Sequence, residues 1–266
     1  MHEFDRVVNA TPADEGRWEA SVPDGWDFSG FPNGGLLMAT LSAMLGPLTG
    51  HPDPVTVTAH YTAPAVPGPA VVEGEMLRSG KRLGTAGGRL VQGGKVVAHA
   101  LGTFGDLQVR DDGVVYEAGL PDLPPPDECI GRETTSQFPF PPIFDKVDMR
   151  FHPDHLGFAT GDKHGKAEVG GWMRFADGRP ADPLAMLLFA DAHPPAIFNA
   201  PGMPIAWTPT IELTVHVHKR PAPGWIAGWF TVNHVNGGFL EEDGVLWDER
   251  GDLVAVSRQM AMVPRS

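Results

Sequence analysis

PVTVTAHYTAPAVPG, residues 54–68, and TIELTVHVHKRPAPG, residues 210–224, are two copies of one sequence pattern. The second copy is the first shifted by 156 positions. Both copies alternate apolar and polar residues, which is the period of a strand with one buried face. A second pair, KVVAHALGTF from Lys95 and DLVAVSRQMA from Asp252, repeats at an offset of 157. The chain is therefore predicted to contain two related folding units.

An apolar helix is predicted ahead of each copy. Asn33 is a good N-cap for the first helix, LLMATLSAML, which is expected to stop at Gly46 and Pro47. Asp182 is expected to cap the second helix, LAMLLFADAH, which must end before Pro194. Because both helices are apolar on all sides, each should be buried all round, with an antiparallel sheet wrapped around it.

The strands follow the helices in the same order in both units. They are predicted at 55–63, about 69–78, about 83–92 and 95–105 in the first unit, and at 210–219, about 225–234, about 239–248 and 252–263 in the second. A further strand pair, at 143–152 and 165–175, is predicted to start the second unit ahead of its helix. A proline-rich stretch separates the units and is expected to be a stiff, extended connector. The expected domains are an N-terminal unit at 1–110, a linker at 111–142 and a C-terminal unit at 143–266.

Composition limits the possible partners and location. The chain has 266 residues, 42% of them hydrophobic, and a formal net charge of −13, which argues against nucleic-acid or anionic-membrane binding. No apolar run approaches the roughly 18 residues that span a bilayer, and the first residues lack the layout of a signal peptide. Cys129 is the single cysteine, which excludes an intramolecular disulfide and favours a reducing, cytoplasmic location.

Four segments of the sequence resemble those of a known family. The chain resembles the type II acyl-CoA thioesterases, which have an α+β double-hotdog fold with two tandem units. The resemblance runs from about residue 14 to residue 264. Its most specific parts are NGGLLMA at 33–39, DGRPADPLAMLLFADA at 177–192, PTIELTVHVHKRP at 209–221 and VAVSRQMAMV at 254–263.

The resemblance implies three catalytic residues. In the family an Asp near the end of the second helix, a Thr at the start of the next strand and a Gln on the last strand orient a hydrolytic water. These roles fall on Asp191, Thr210 and Gln259, the last two of which replace Pro54 and Gly102 of the first copy. All three residues also have ordinary structural interpretations, as a solvent-facing carboxylate, a strand-start threonine and a hydrogen bond to a neighbouring strand.

Asp191 suits the role of general base on physical grounds. In the final turn of an apolar helix, both burial and the negative end of the helix dipole disfavour a carboxylate and should raise its pKa. A raised pKa is useful in a base that works near neutral pH.

The N–H groups of Gly34, Gly35 and Leu36 are expected to be free to receive an oxyanion, since a helix N-terminus presents donors. Those glycines could instead serve only packing.

Histidines are the remaining candidates for the site. His60 and His216 occupy equivalent positions and are expected to make structural hydrogen bonds or to contact substrate. His216 and His218 share a strand face, but no further ligand has convincing spacing, so no metal is expected. No nucleophile elbow or dinucleotide fingerprint is present, and no cofactor is expected.

The resulting hypothesis is hydrolysis of fatty or branched acyl-CoA to free acid and CoA, with the acyl tail in a tunnel edged by Met38, Met186 and Phe189. A homo-oligomer, a dimer or larger, is expected by analogy. Two alternatives stay open. A hotdog enoyl-CoA hydratase or dehydratase would need an Asp and a His, which the stretch 161–164 (GDKH) faintly resembles. A non-catalytic acyl-CoA binding module would use the polar residues structurally.

Overall fold

The computed structural model describes residues 1–28, 30–108, 116, 118–134, 138–163 and 165–264. The first half contains α1 (Glu3–Val7), β1 (Thr11–Asp14), β2 (Arg17–Val22), β3 (Asp27–Phe28), β4 (Phe31–Pro32), α2 (Gly34–Thr49), β5 (Asp53–Tyr61), β6 (Gly68–Arg78), β7 (Gly84–Gln92) and β8 (Lys95–Gly105). The second half contains β9 (Ile130–Gly131), β10 (Val147–Phe151), α3 (Gly157–Thr160), β11 (Glu168–Phe175), α4 (Pro183–Phe189), β12 (Thr210–Val217), β13 (Ile226–Asn236), β14 (Phe239–Asp248) and β15 (Leu253–Met262).

Thirteen of these strands form one antiparallel sheet in the order β1-β2-β6-β7-β8-β5-β12-β15-β14-β13-β11-β10-β9. The two duplicated strands lie side by side at its centre, and each half runs outward from them in matching order. At the junction Thr58 pairs with Thr214, and their hydroxyl oxygens are 2.8 Å apart. The predicted α+β double-hotdog fold is confirmed.

Alternation along the central strands places one face against the helices. Val57 and Ala59 on β5, and Leu213 and Val215 on β12, are fully buried. The intervening positions point outward, as the period of a strand requires. Inside the curve of the sheet lies α2, which packs against α4 as well as against β5 to β8. The two helices and the inner strand faces therefore share one core.

The first helix is longer than expected. It continues through Gly46 and Pro47 to Thr49 and ends at Gly50, whose φ of 74° is the left-handed conformation that glycine adopts without strain. Pro47 lies in the last turn, where it removes a single helical hydrogen bond. Continuing the helix packs Leu48 against the cluster of Leu45, Ala86 and Phe104, which favours the longer form.

The second helix is shorter than expected. Asp182 caps it as predicted, since its Oδ1 accepts a 2.8 Å hydrogen bond from the Ala185 N–H. The helix ends at Phe189, however, and covers seven residues against sixteen for α2. The chain therefore turns after Phe189 but stays buried, with Ala192 and Ala196 in the core, and the turn brings Asp191 to the start of α2.

Part of the expected connector packs against the second half. In its described portion, β9 pairs with β10. Cys129 is buried in a cluster with Trp172, Ala227 and Trp247. Residues 129–131 of this segment are thus packed against the C-terminal unit. Across the described ranges, no helix combines the length and apolar character needed to cross a membrane.

Candidate active site

Asp191 lies just beyond the end of α4 and faces the other half of the molecule. Its N–H donates to the carbonyl of Leu188 at 3.0 Å, which turns the chain after the helix. The half-buried carboxylate then meets the N-terminus of α2. Gly35 N–H donates to its Oδ2 at 2.9 Å, and Asn33 Nδ2 donates to the same oxygen at 3.0 Å. Both of these bonds end on Oδ2, so lone pairs of Oδ1 remain for a further partner.

Asn33 connects the two halves while it caps its own helix. Its Oδ1 accepts a 2.8 Å hydrogen bond from Leu36 N–H, as predicted for an N-cap. Its Nδ2 also donates to the backbone carbonyl of Asp191 at 2.6 Å. One buried side chain therefore fixes both the start of α2 and the turn after α4. The sequence indicated only the first of these functions.

The electrostatic setting of Asp191 differs in part from the expectation. Burial raises its pKa to about 6, and the N–H groups of Gly35 and Gly34 oppose that rise. The residue is not within the final turn of α4, because the helix has already ended. Its carboxylate instead faces the positive end of the dipole of α2, which favours the ionised form. The raised pKa thus comes from burial and not from a helix C-terminus.

The helix start does not present the free donors that we expected. Gly35 N–H is bonded to Asp191, and Leu36 N–H is bonded to Asn33. Glycine is needed here for close packing, because a Cβ on Gly35 would overlap the carbonyl oxygen of Leu187. A Cβ on Gly34 would lie 2.9 Å from the ring of Tyr61, whose hydroxyl donates to the Gly34 carbonyl at 2.7 Å. The expected oxyanion site is therefore a clamp for the carboxylate.

Thr210 and Gln259 are directly bonded to each other. The Thr210 hydroxyl donates to Gln259 Oε1 at 2.9 Å, across the pairing of β12 with β15. Gln259 Nε2 donates in turn to Glu242 Oε1 at 2.7 Å. Glu242 Oε2 accepts a further bond from Ala196 N–H at 2.6 Å. A single chain of hydrogen bonds therefore runs from Thr210 to Glu242, the second carboxyl of the site.

Glu242 was not among the residues expected at the site. Its side chain is buried, and burial raises its pKa to about 7, while the bonds from Ala196 and Gln259 lower it and the charges of Asp191 and Asp243 raise it. A sequence signal did exist, because Glu242 interrupts the inward series Leu240, Gly244 and Leu246 on β14. A charged residue at an inward strand position indicates a functional or paired carboxylate.

All four polar residues line one cavity of about 530 Å³ between the halves. Its walls are mainly aromatic residues and prolines, and a Phe31–Trp207 ring stack with centroids 4.0 Å apart lies at its edge. The described residues lining it include no lysine or arginine. The aromatic and proline residues are Phe28, Phe31, Pro32, Tyr61, Pro64, Phe138, Pro139, Pro141, Phe144, Phe158, Pro194, Pro195, Phe198, Trp207 and Pro209.

Several residues expected near substrate lie elsewhere. His60 and His216 are exposed on the outer face of the sheet and do not line the cavity, because they occupy the outward positions of β5 and β12. Met38, Met186 and Phe189 are fully buried in the core and do not edge it either. The cavity lies beyond the end of α4 and touches α2 at its first turn, through Gly34 and Leu37.

His193 lines the cavity, although it was not among the histidines expected at the site. It is 6% exposed and packs between Phe151 and Phe230, with ring centroids 5.6 Å and 5.0 Å away. Burial lowers its pKa to about 3, with a smaller effect from His155, so the ring is neutral. Within the described part of the chain, no cluster of three or more His, Cys, Asp or Glu residues could hold a metal ion.

Comparison with known families gives two adjoining matches. The model for the acyl-CoA thioesterase N-terminal domain matches residues 22–105. The model for the acyl-CoA thioesterase C-terminal domain matches residues 122–263, which is more than half of the chain. The matched ranges contain Asn33 and the hydrogen-bonded residues of the second half, respectively.

Individual relatives cover nearly the same extent. A solved structure from Thermobifida fusca, described as a candidate thioesterase II, is 30% identical, with a TM-score of 0.90 over 100% of this chain and 98% of that one. A hot dog protein of unknown function from Alicyclobacillus acidocaldarius has a TM-score of 0.84 at 23% identity, covering 100% and 99%. An uncharacterized protein of Mycobacterium tuberculosis is 27% identical over 227 residues, 79% of this chain and 76% of its own.

Proposed function

Because the chain belongs to the acyl-CoA thioesterase family, we propose that it hydrolyses acyl-CoA thioesters to free acid and CoA at the cavity that Asp191 lines. One observation carries this proposal. The carboxylate of Asp191, which has a raised pKa, is held at the cavity wall by Asn33 and Gly35. Thr210 and Gln259, which are bonded to each other, line the same cavity. These are the elements needed to position and deprotonate a water.

In the proposed reaction a water attacks the thioester carbonyl carbon directly. Asp191 takes a proton from the water as the new C–O bond forms, and the carbonyl oxygen becomes an oxyanion. When the C–S bond breaks, the oxyanion collapses to the acid and the sulfur leaves as the CoA thiolate. The proton held by Asp191 passes to this thiolate, so no covalent enzyme intermediate is required.

The hydrogen-bond pattern assigns each neighbour a part in this step. The Oδ1 lone pairs of Asp191 are available to the water, since Oδ2 is held by the helix N-terminus. Gln259 uses one amide N–H for Glu242, which leaves its second N–H for the water or the developing oxyanion. The Thr210 hydroxyl holds the amide of Gln259 in place and can accept a hydrogen bond from the water.

The cavity walls favour an apolar acyl group. Aromatic and proline side chains offer contact area and no charge to pair with phosphate. We therefore place the fatty or branched acyl chain inside and the CoA phosphates outside the cavity. We further propose a cytoplasmic location and a homo-oligomer.

A panel of acyl-CoA substrates with a thiol reagent tests this function. The expected result is release of free CoA by the wild type and loss of release in Asp191→Asn, with Asp14→Asn, an exposed change on β1, as the matched control. Hydration of an enoyl-CoA without CoA release would identify a hydratase instead. Tight binding of acyl-CoA without either reaction would identify a binding module.

The structure adds no support to the hydratase motif in the sequence. Asp162 is exposed and does not line the cavity with Asp191. His164, the other residue of that motif, lies outside the described residues. Asp191 and the neutral His193 do share the cavity, so the enoyl-CoA arm of the experiment is retained.

A further inference from the structure

Glu242 is a buried carboxyl at the cavity wall for which the proposed reaction has no chemical step. It is 5% exposed, and both of its oxygens accept hydrogen bonds. Ala196 N–H reaches Oε2 at 2.6 Å, and Gln259 Nε2 reaches Oε1 at 2.7 Å. Both partners are donors, so the position is built for an acceptor. An ionised carboxylate, which only accepts, satisfies both of them at once.

The acceptor character of Glu242 determines how the amide of Gln259 is turned. An amide has a donor side and an acceptor side, and the donor side must face the carboxylate. The acceptor side, Oε1, then faces Thr210, whose hydroxyl donates to it at 2.9 Å. This orientation directs the Thr210 proton toward Gln259 and leaves the hydroxyl lone pairs and the second amide N–H uncommitted.

We propose that Glu242 is a positioning residue that fixes the amide orientation of Gln259 and, through it, the Thr210 hydroxyl, so that both are preset for the attacking water. This inference rests on the proposed hydrolysis for its catalytic meaning. The orientation itself depends only on the hydrogen bonds among Ala196, Glu242, Gln259 and Thr210.

Protonation of Glu242 would disturb this arrangement. A carboxyl proton would have to point at one of two donors, so the amide of Gln259 must either turn over or lose its bond. The charged groups that act on Glu242 are Asp191 after α4 and Asp243 on its own strand, while the uncharged Gln259 lies opposite it on β15. On β13 the pairing with β14 shifts between Thr231 and His234, so the register there pairs no residue directly with Glu242. His193 in the cavity is neutral. Burial raises the pKa of Glu242 to about 7, within the working range of an enzyme.

Glu242→Gln provides the kinetic test. Glutamine keeps the size of the side chain, but its one carbonyl oxygen cannot accept well from both donors. We expect kcat to fall by about tenfold or more, with KM changed by less than about threefold, because the acyl site is intact. The matched control is Glu241→Gln, the adjacent glutamate on the outward face of the same strand, which should leave kcat unchanged.

The side-chain amide signals of Gln259 give a second test that does not depend on turnover. In ¹H–¹⁵N spectra of the wild type, they are expected to shift with pH as Glu242 titrates and to lose that shift in Glu242→Gln. Gln259 amide signals that are the same in Glu242→Gln as in the wild type at every pH would overturn the inference. So would a Glu242→Gln protein that melts earlier yet keeps its kcat, since Glu242 would then be only structural.

The two proposals can fail separately. If the wild type releases CoA from no acyl-CoA while the Gln259 signals follow Glu242, hydrolysis is wrong, and only the orientation of the Gln259 amide by Glu242 stands. If the wild type hydrolyses acyl-CoA and Glu242→Gln matches it in kcat and in pH profile, the positioning role is wrong and hydrolysis stands.

Discussion

The two halves of the molecule have the same order of elements, but the interior of the first is filled and that of the second contains a cavity. Four equivalent positions decide the difference: the second half has Thr210, Glu242, Gln259 and Ala261 where the first has Pro54, Ala86, Gly102 and Phe104. In the first half these residues are part of a closed core. In the second half they line a cavity.

A ring and a helix turn fill the space in the first half. Phe104 is fully buried against Leu45 and Ala86, and a Cβ on Gly102 would lie 2.8 Å from that ring. In the second half Ala261 has no ring, and α4 ends too early to supply a counterpart of Leu45. A hotdog unit can therefore become a solid core or a ligand cavity through one side chain and the length of its helix.

Asp191→Asn should break the function of the second half while leaving the packing of both halves unchanged. Asparagine retains an oxygen for the Gly35 N–H but cannot accept a proton from water. We expect turnover to fall by about a hundredfold or more in an acyl-CoA hydrolysis assay. Asp14→Asn should match the wild type. Turnover of Asp191→Asn close to the wild-type value would remove this residue from the mechanism.

Phe104→Ala should open a cavity in the first half. Loss of a fully buried ring is expected to lower the free energy of unfolding by about 3–5 kcal/mol, measured in denaturant. Since the polar residues are absent from this half, kcat should stay within about twofold of the wild type for the folded enzyme. A large loss of kcat in folded protein would show that the two interiors are coupled.

Ala261→Phe is the reciprocal change and should close the cavity of the second half. A ring at this position would occupy space that the proposed acyl group needs. We expect kcat/KM for acyl-CoA to fall by about tenfold or more, with the protein still folded by circular dichroism. Unchanged kcat/KM would mean that the acyl group binds elsewhere.

The pH dependence should come from the second half alone. Asp191 must be ionised to act as a base, so kcat/KM should rise with pH as the group, with a pKa raised to about 6, loses its proton. Titration of Asp191 alone would leave about a tenth of the plateau activity at pH 5. Protonation of Glu242, whose pKa is raised to about 7, should lower the wild-type activity at pH 5 further, and Glu242→Gln should remove that additional loss.

Stability should follow pH in the opposite sense. The pKa of Asp191 is higher in the folded chain than its ordinary value of 3.8, so between those values the folded state binds more protons than the unfolded state. Its contribution to stability is therefore lost as pH rises through about 6. Asp191→Asn should raise Tm at pH 8 more than at pH 5, in scanning calorimetry. An equal change at both pH values would contradict the raised pKa.

The duplicated strands made the fold predictable, because alternation and helix caps are local patterns. Asn33 and Asp182 cap the helices as expected, and the central strands differ from prediction only at their ends. Helix length was less predictable. It depends on packing against residues far along the chain, such as Phe104 for the last turn of α2.

The site was predictable in part. Asp191, Thr210 and Gln259 do line one cavity, and their catalytic roles stay predictions. The contact between Asn33 and Asp191 joins residues 158 positions apart, so no local pattern could indicate it. Glu242 became meaningful only when the strand register placed it opposite Gln259.

The pairing of β5 with β12 within one chain has a consequence for dilute enzyme. Asn33 and Asp191 come from different halves. In an assembly of separate single-unit chains, such partners would separate when the protein is diluted below the dissociation constant of the assembly. Covalent continuity gives them a high effective concentration for each other, whatever the amount of protein present. Specific activity should therefore remain constant on serial dilution, provided that each chain carries its own complete site.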